Sequence, residues 1–213
     1  MRARKTTSRP SAAEMPAATK APSSPGGTRI TTSNRHRSAG TFVAIDFETA
    51  NHDRDSACAV ALVRVENDRI VRRVSHFVRP PRRAFVFTDL HGISWDDVAT
   101  APTFGDLWPT LVPTLDGAEF LAAHWAVFDE GVLRACCTAA RLRPPALRFE
   151  CTVEWSKRVW GLRTAKLPVV CAHLGLRLDH HDAASDAEAC ARIMIAARRE
   201  ASRLRREGTD AVR

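Results

Sequence analysis

Phe42-Val43-Ala44-Ile45-Asp46-Phe47-Glu48-Thr49 reads as a β-strand that carries two acids where a core strand would carry apolar residues. Side chains alternate faces along a strand, so Asp46 and Glu48 share one face while Val43, Ile45 and Phe47 share the other. Strands disfavour both acids, and two on one face repel each other. A solvated edge strand would tolerate them, and so would a site that uses them.

Working outward, Ala57–Glu66 and Arg69–Arg79 follow as β-rich runs with a turn at Asn67-Asp68, predicting an antiparallel meander. The segment Pro80–Pro102 reads mostly as loop, with a short helix around Trp95–Ala99. Phe104–Leu115 reads as a helix that Pro109 and Pro113 interrupt. Ala118–His124 is a short apolar strand. Ala126–Leu142 is helical, with Phe128, Val132, Leu133, Cys136, Cys137 and Ala140 on one face. Leu147–Cys151 is another strand, followed by helices over Val153–Trp160 and Lys166–Leu174. A last helix runs from about Ser185 to Arg206. This order predicts an α/β, ribonuclease H-like three-layer fold. Its mixed sheet has three antiparallel strands first, then two parallel ones, with helices on both faces.

Among 213 residues, an apolar share of 45% suits a real core, and the formal charge is +8. That charge is unevenly spread. Residues 1–40 hold eight Lys/Arg against Glu14, a net of +7, and residues 198–213 hold six Arg against three acids, a net of +3. The body, 41–197, is therefore at −2, so overall basicity does not argue for nucleic-acid binding. The first 40 residues contain no aromatic residue and little beyond Met15 and Ile30 to bury, which predicts a disordered basic tail. Its Arg- and Ser-rich, acid-poor start also resembles a transit peptide, although it lacks an amphipathic apolar face. Residues 198–213 read as a basic extension of the last helix and a C-terminal tail. The six cysteines form no CxxC pair and mostly lie in apolar stretches, as expected of buried thiols in a reducing compartment. No run is apolar enough to span a bilayer and no signal peptide is visible, so a cytoplasmic protein with no membrane partner is expected.

Two further acids join the pair on the first strand. Asp129 lies in the first turn of the helix after the Ala118–His124 strand, where the helix dipole alone would favour an acid. Asp186 opens the last helix after Ser185, read as its N-cap, on the stripe Asp186–Cys190–Ile193/Met194–Ala197 that should face the core. Four carboxylates at one strand and two helix starts, on elements that should meet at one end of a sheet, lack matching Lys or Arg partners. Two Mg²⁺ or Mn²⁺ ions would neutralise them, and oxygen ligands with few imidazoles favour these metals over zinc. Two such ions held roughly 3.5–4 Å apart would activate a water and stabilise the leaving oxygen of a phosphoryl displacement. His180-His181-Asp182 precedes Asp186, and an imidazole there is a natural acceptor for the proton of that water. His181 lies five residues before Asp186, and the choice between the adjacent pair is left to the family spacing.

The ordered set Asp46-Phe47-Glu48-Thr49, His124-x-x-x-Phe128-Asp129 and His181-Asp182-Ala183-x-x-Asp186-Ala187 resembles the DnaQ-like 3′→5′ exonucleases of the DEDDh class. The proofreading epsilon subunit of bacterial DNA polymerase III is a member of that family. The resemblance covers nearly all of 41–197. It implies that Asp46, Glu48, Asp129 and Asp186 bind the two metals, that His181 is the general base, and that single-stranded DNA or RNA 3′ ends are the substrate. It also implies substrate contacts from Thr49 and from His91, within His91-Gly92-Ile93. Family members carry Asn after the second-motif histidine where this chain has Trp125, so substrate preference or rate is expected to differ there. The sister class replaces the histidine with tyrosine, and this chain has no tyrosine.

Three other readings compete. An HD-type phosphohydrolase, suggested by His181-Asp182, would need further ligands on helices. A non-catalytic nucleic-acid-binding module on the same fold should have lost one of the five site residues, and none is lost. An adaptor role for the basic ends would leave Asp46 dispensable. The loop bearing Arg82, Arg83, Phe85 and Phe87 either contacts a single strand or is a solvated basic turn anchored by its phenylalanines. With no glutamine to begin a clamp-binding peptide and little chain after the last helix, a free-standing nuclease in DNA repair, end trimming or RNA turnover is expected over a stable replicase subunit.

Overall fold

The computed structural model describes residues 40–210. The tail expected to be disordered lies outside the described residues apart from Gly40, as do residues 211–213. Strand β1 (Phe42–Thr49) is followed by β2 (Ala57–Glu66) and β3 (Arg69–Phe77). Asn67 and Asp68 both have positive φ, the conformation of a tight two-residue hairpin turn between β2 and β3. The segment read as loop contains two short helices, α1 (Thr88–His91) and α2 (Trp95–Val98). Next come α3 (Phe104–Leu115), β4 (Phe120–Ala123), α4 (Val127–Ala139), β5 (Arg148–Cys151), α5 (Thr152–Trp160), α6 (Leu167–Leu174) and α7 (Ala183–Asp210).

The five strands lie in the order β3-β2-β1-β4-β5. β1 pairs antiparallel with β2, β2 antiparallel with β3, and β4 runs parallel to both β1 and β5. β1 is therefore central, and the solvated-edge alternative for it fails. Both of its faces are covered. Val43, Ile45 and Phe47 pack with Phe104, Leu107 and Leu111 of α3 and Val132 and Leu133 of α4. Phe42 and Ala44 pack with Ala187, Cys190 and Met194 of α7. Full burial of side chains such as Ile45 and Leu121 contributes about 1.5–3 kcal/mol each relative to exposure. A smaller cluster joins α5 and α6 to Ala189 and Ile193 of α7.

The prolines expected to interrupt α3 do not. Pro109 and Pro113 lie inside an unbroken helix, on its exposed side, where the carbonyls they leave unpaired can meet water. The opposite side buries Phe104, Leu107, Leu111 and Leu115, and a reciprocal box between Thr103 and Asp106 caps the start. The start of α7 is also displaced from the Ser185 expectation. Asp182 Oδ1 accepts the Ser185 N–H at 2.8 Å and does the capping, while Ser185 Oγ accepts the N–H of Asp179.

Candidate active site

This topology brings three chain segments to one end of the sheet. β1 delivers Asp46 and Glu48 near its carboxyl end, with a register shift between Glu48 and Thr49. Just past β4, the first turn of α4 delivers Asp129. The first turn of α7 delivers Asp186. Ligand oxygens of Asp46, Glu48 and Asp186 lie within 4.8 Å of one another. Asp129 is held beside them by its Oδ1, which accepts the Phe47 N–H at 3.1 Å. That amide belongs to the residue between the two β1 acids and lies beyond the short β1–β4 ladder.

Burial decides the electrostatics. Glu48, Asp129 and Asp186 are buried, and Asp46 is half-buried. Desolvation raises the Asp46 carboxyl well above the carboxylate range, and the charges of Asp129, Asp186 and Glu48 push it further. Glu48 is pushed up to about 8, first by burial and then by Asp186 and Asp182. Asp129 is raised by burial despite the opposing Phe47 hydrogen bond. Asp186 is raised by burial against the pull of the His181 N–H and His180. Among the described residues no lysine or arginine bonds any of the four; Arg54 acts on Asp129 only through space. One oxygen of Asp186, Oδ1, is buried with no hydrogen-bond partner. Buried charge without a protein partner is expensive, and an orphaned carboxylate oxygen is what a metal ligand looks like before its metal is added. The residues present therefore fit a divalent cation.

Both histidines of the doublet are at the site. The His181 main-chain N–H donates to Asp186 Oδ2 at 3.1 Å, with φ of +70 at His181. His180 Nδ1 meets the same oxygen at 2.9 Å, and the two rings stack with centroids 3.8 Å apart. The imidazole of His181 has a lowered pKa, by desolvation and then by His180. The contact of His180 with Asp186 was not foreseen, because adjacent histidines are indistinguishable by spacing. His180, His181 and Asp186 form a second group with ligand atoms within 4.8 Å.

Glu48 and Asp186 line a cleft of about 900 Å³ whose walls also include Thr49, Phe87, His91, Trp125 and Phe128. His91 ties the cleft wall to β1. Its Nδ1 accepts the Ile93 N–H at 3.1 Å, which leaves the proton on Nε2 to be donated to the Thr49 carbonyl at 3.1 Å. Burial lowers its pKa, consistent with a neutral ring. Gly92, at φ +78, supplies the left-handed turn that aims this ring. His124 Nδ1 meets Thr152 Oγ1 at 2.8 Å, and burial pushes its pKa down to about 4. Of the four loop residues weighed as substrate contacts, only Phe87 lines the cleft. Arg82 pairs with Asp55 and Asp53, Arg83 lies over the Trp95 ring at 4.9 Å, and Phe85 packs on the core. The cations on the cleft rim are instead Lys157, Arg163 and Lys166.

A mixed five-stranded sheet with carboxylates gathered at the end of its central strand is a ribonuclease H-like arrangement. Residues 43–194 match the family model described as exonuclease, RNase_T, and the chain belongs to this DnaQ-like exonuclease family. It is 33% identical over 160 residues to the 3'-5' exonuclease DinG of Bacillus subtilis (strain 168). That match covers 72% of this chain but 17% of the relative, so the chain spans under a fifth of the relative's length. Exonuclease X in complex with 5' overhanging duplex DNA is 26% identical, with a TM-score of 0.61 over 73% of this chain and 90% of that one. The nuclease domain of 3'hExo, a DEDDh family member bound to rAMP, shares the fold at 20% identity, with a TM-score of 0.64 over 73% and 90%. Among the described residues no helix is long and apolar enough to cross a membrane.

Proposed function

We propose that this protein is a divalent-metal-dependent exonuclease that releases mononucleotides from the 3′ end of single-stranded DNA or RNA. The observation that carries the reading is the Asp46–Glu48–Asp186 cluster, with ligand oxygens within 4.8 Å of one another and, among the described residues, no lysine or arginine side chain bonded to it. Asp46, Glu48, Asp129 and Asp186 would hold two Mg²⁺ or Mn²⁺ ions, whose hardness suits oxygen donors. Bound there, such ions supply a nucleophilic water at neutral pH and charge stabilisation for the leaving oxygen.

The chain's own residues do the rest. The Phe47 amide fixes one oxygen of Asp129 and leaves its other oxygen for a ligand. His180 and the His181 amide both hold Oδ2 of Asp186, so its unpartnered Oδ1 is oriented by the protein. His181 takes the proton of the attacking water, and its lowered pKa keeps the imidazole neutral and able to accept. His180 is a positioning residue acting through Asp186. Thr49 and His91 shape the pocket for the terminal nucleotide; with both ring nitrogens bonded to main chain, His91 meets substrate by its ring edge or face. Lys157, Arg163 and Lys166 suit the phosphates of the following nucleotides.

The test is digestion of 5′-labelled and 3′-labelled DNA and RNA oligonucleotides with Mg²⁺ or Mn²⁺, with and without EDTA. A 5′-labelled strand should shorten as a ladder from its 3′ end, and a 3′ label should be released at once as mononucleotide. Equal digestion in EDTA, or a ladder of the opposite polarity, would overturn the reading.

A further inference from the structure

Trp125 stands in the short link between β4 and α4 with φ of +66, the left-handed region. A bulky aromatic residue is a genuine outlier there, whereas Asn adopts it readily. The side chain is 63% exposed, so the indole returns little burial to the fold for its backbone strain. Strain of this kind persists where the surrounding structure holds it for a purpose.

The indole also has an aromatic neighbour. Its ring stacks on Phe128 with planes within 8° and centroids 6.1 Å apart. Phe128 in turn lies under the Arg54 guanidinium at 5.0 Å, and the same guanidinium donates to the Phe128 carbonyl at 2.7 Å. Both rings line the cleft that holds Glu48, His181 and Asp186, with Leu90, 52% exposed, also in its walls. The rim therefore presents a flat, solvent-facing π surface beside the carboxylates.

We propose that Trp125 is a stacking platform for a nucleobase within the last three nucleotides of the bound strand, and so a specificity-determining residue; this rests on the exonuclease reading above. Every base offers a π face, so the platform tolerates sequence. A paired, stacked base has both faces covered, so the platform favours unpaired 3′ ends. Loss of one base–aromatic stack corresponds to between about 5- and 150-fold in KM.

The full-length protein and its Trp125→Asn and Trp125→Phe variants should be compared on single-stranded oligonucleotides carrying one abasic site at the last, second-last or third-last position. On the wild type, one of these positions should raise KM about 10-fold with kcat little changed. Trp125→Asn should have a raised KM on the intact strand and no further response to the abasic site, while Trp125→Phe keeps part of it. Its thermal midpoint should not fall, since Asn suits the left-handed backbone. Wild type and Trp125→Asn responding equally to every abasic site would overturn the platform and leave the exonuclease reading standing. A wild type that releases no nucleotide from any strand with Mg²⁺ or Mn²⁺ would instead remove both.

Discussion

Asp186 and Glu188 lie two residues apart on α7 and meet opposite fates. Asp186 turns into the cleft among other acids, and its carboxyl is raised by burial. Glu188 turns toward β3, where Arg73 at 2.6 Å and Arg192 at 2.6 Å hold it down to about 2. The same division separates the two ends of the sheet. Away from the cleft, Asp68 pairs with Arg199, Glu150 with Arg148, and Glu200 and Glu207 with Arg203. At the carboxyl end of β1, the four carboxylates have no such partner among the described residues. Acids that serve the fold here pair with an arginine or, like Asp106 and Asp182, cap a helix, and the four gathered at the end of β1 do neither.

The largest expected effect that would break this contrast is on catalysis. Asp46→Ala and Asp186→Ala should each lower turnover by on the order of 10³-fold, several kcal/mol of lost charge stabilisation. Glu188→Gln should leave single-turnover rates on a labelled oligonucleotide within about twofold, because an arginine-paired acid outside the cleft has no part in the chemistry. His181→Ala comes next, at about 10²-fold in kcat, as for a lost general base. In the wild type, kcat should climb as pH rises through the depressed imidazole pKa, and the variant's profile should lose that limb.

Stability should then respond to pH in opposite directions at the two acids. Glu48 is raised in the folded protein from 4.5 to about 8, so the folded state holds the extra proton in that interval. Without metal, stability should decline as pH climbs from about 4.5 to 8. Glu188 is lowered from 4.5 to about 2, so its contribution is present above 4.5 and is lost as pH falls through 4.5 toward 2. Thermal unfolding in EDTA should show a flatter decline above pH 5 for Glu48→Gln and a smaller acid loss for Glu188→Gln. Saturating Mg²⁺ should raise the wild-type midpoint more at pH 8 than at pH 6. The smallest expected effect is at the distal pair. Arg199→Ala removes an exposed bridge to Asp68 and should cost under about 1 kcal/mol in urea titration.

Much of the fold was legible because its signals are local. The β-rich runs of β1 and β2 and the helical reading of Phe104–Leu115 gave their limits as the structure has them. Asp46, Glu48 and Asp186 could be singled out because each sits where an apolar or paired residue would otherwise be expected, whereas Asp129, in a first helical turn, stood out by its company. Alternation could not reveal that Ala44 and Phe42 are as buried as Val43 and Ile45, since that depends on α7 arriving from far along the chain. Of the two four-residue helices, α2 was expected around Trp95–Ala99, whereas α1 has too little periodicity and no side-chain cap to mark it. Ser185 and Asp182 are both good caps by type, and only packing chose between them. Similarly, Trp125 was visible as a departure from its family, but its left-handed backbone and open ring were not.

The hydrogen bond from Phe47 to Asp129 has a practical consequence. It makes one peptide group of the central strand a passenger of α4, so its deuterium uptake should follow the docking of that helix as well as the integrity of the sheet. Among the amides of β1, this one would report in a single isotope measurement whether the catalytic end is assembled.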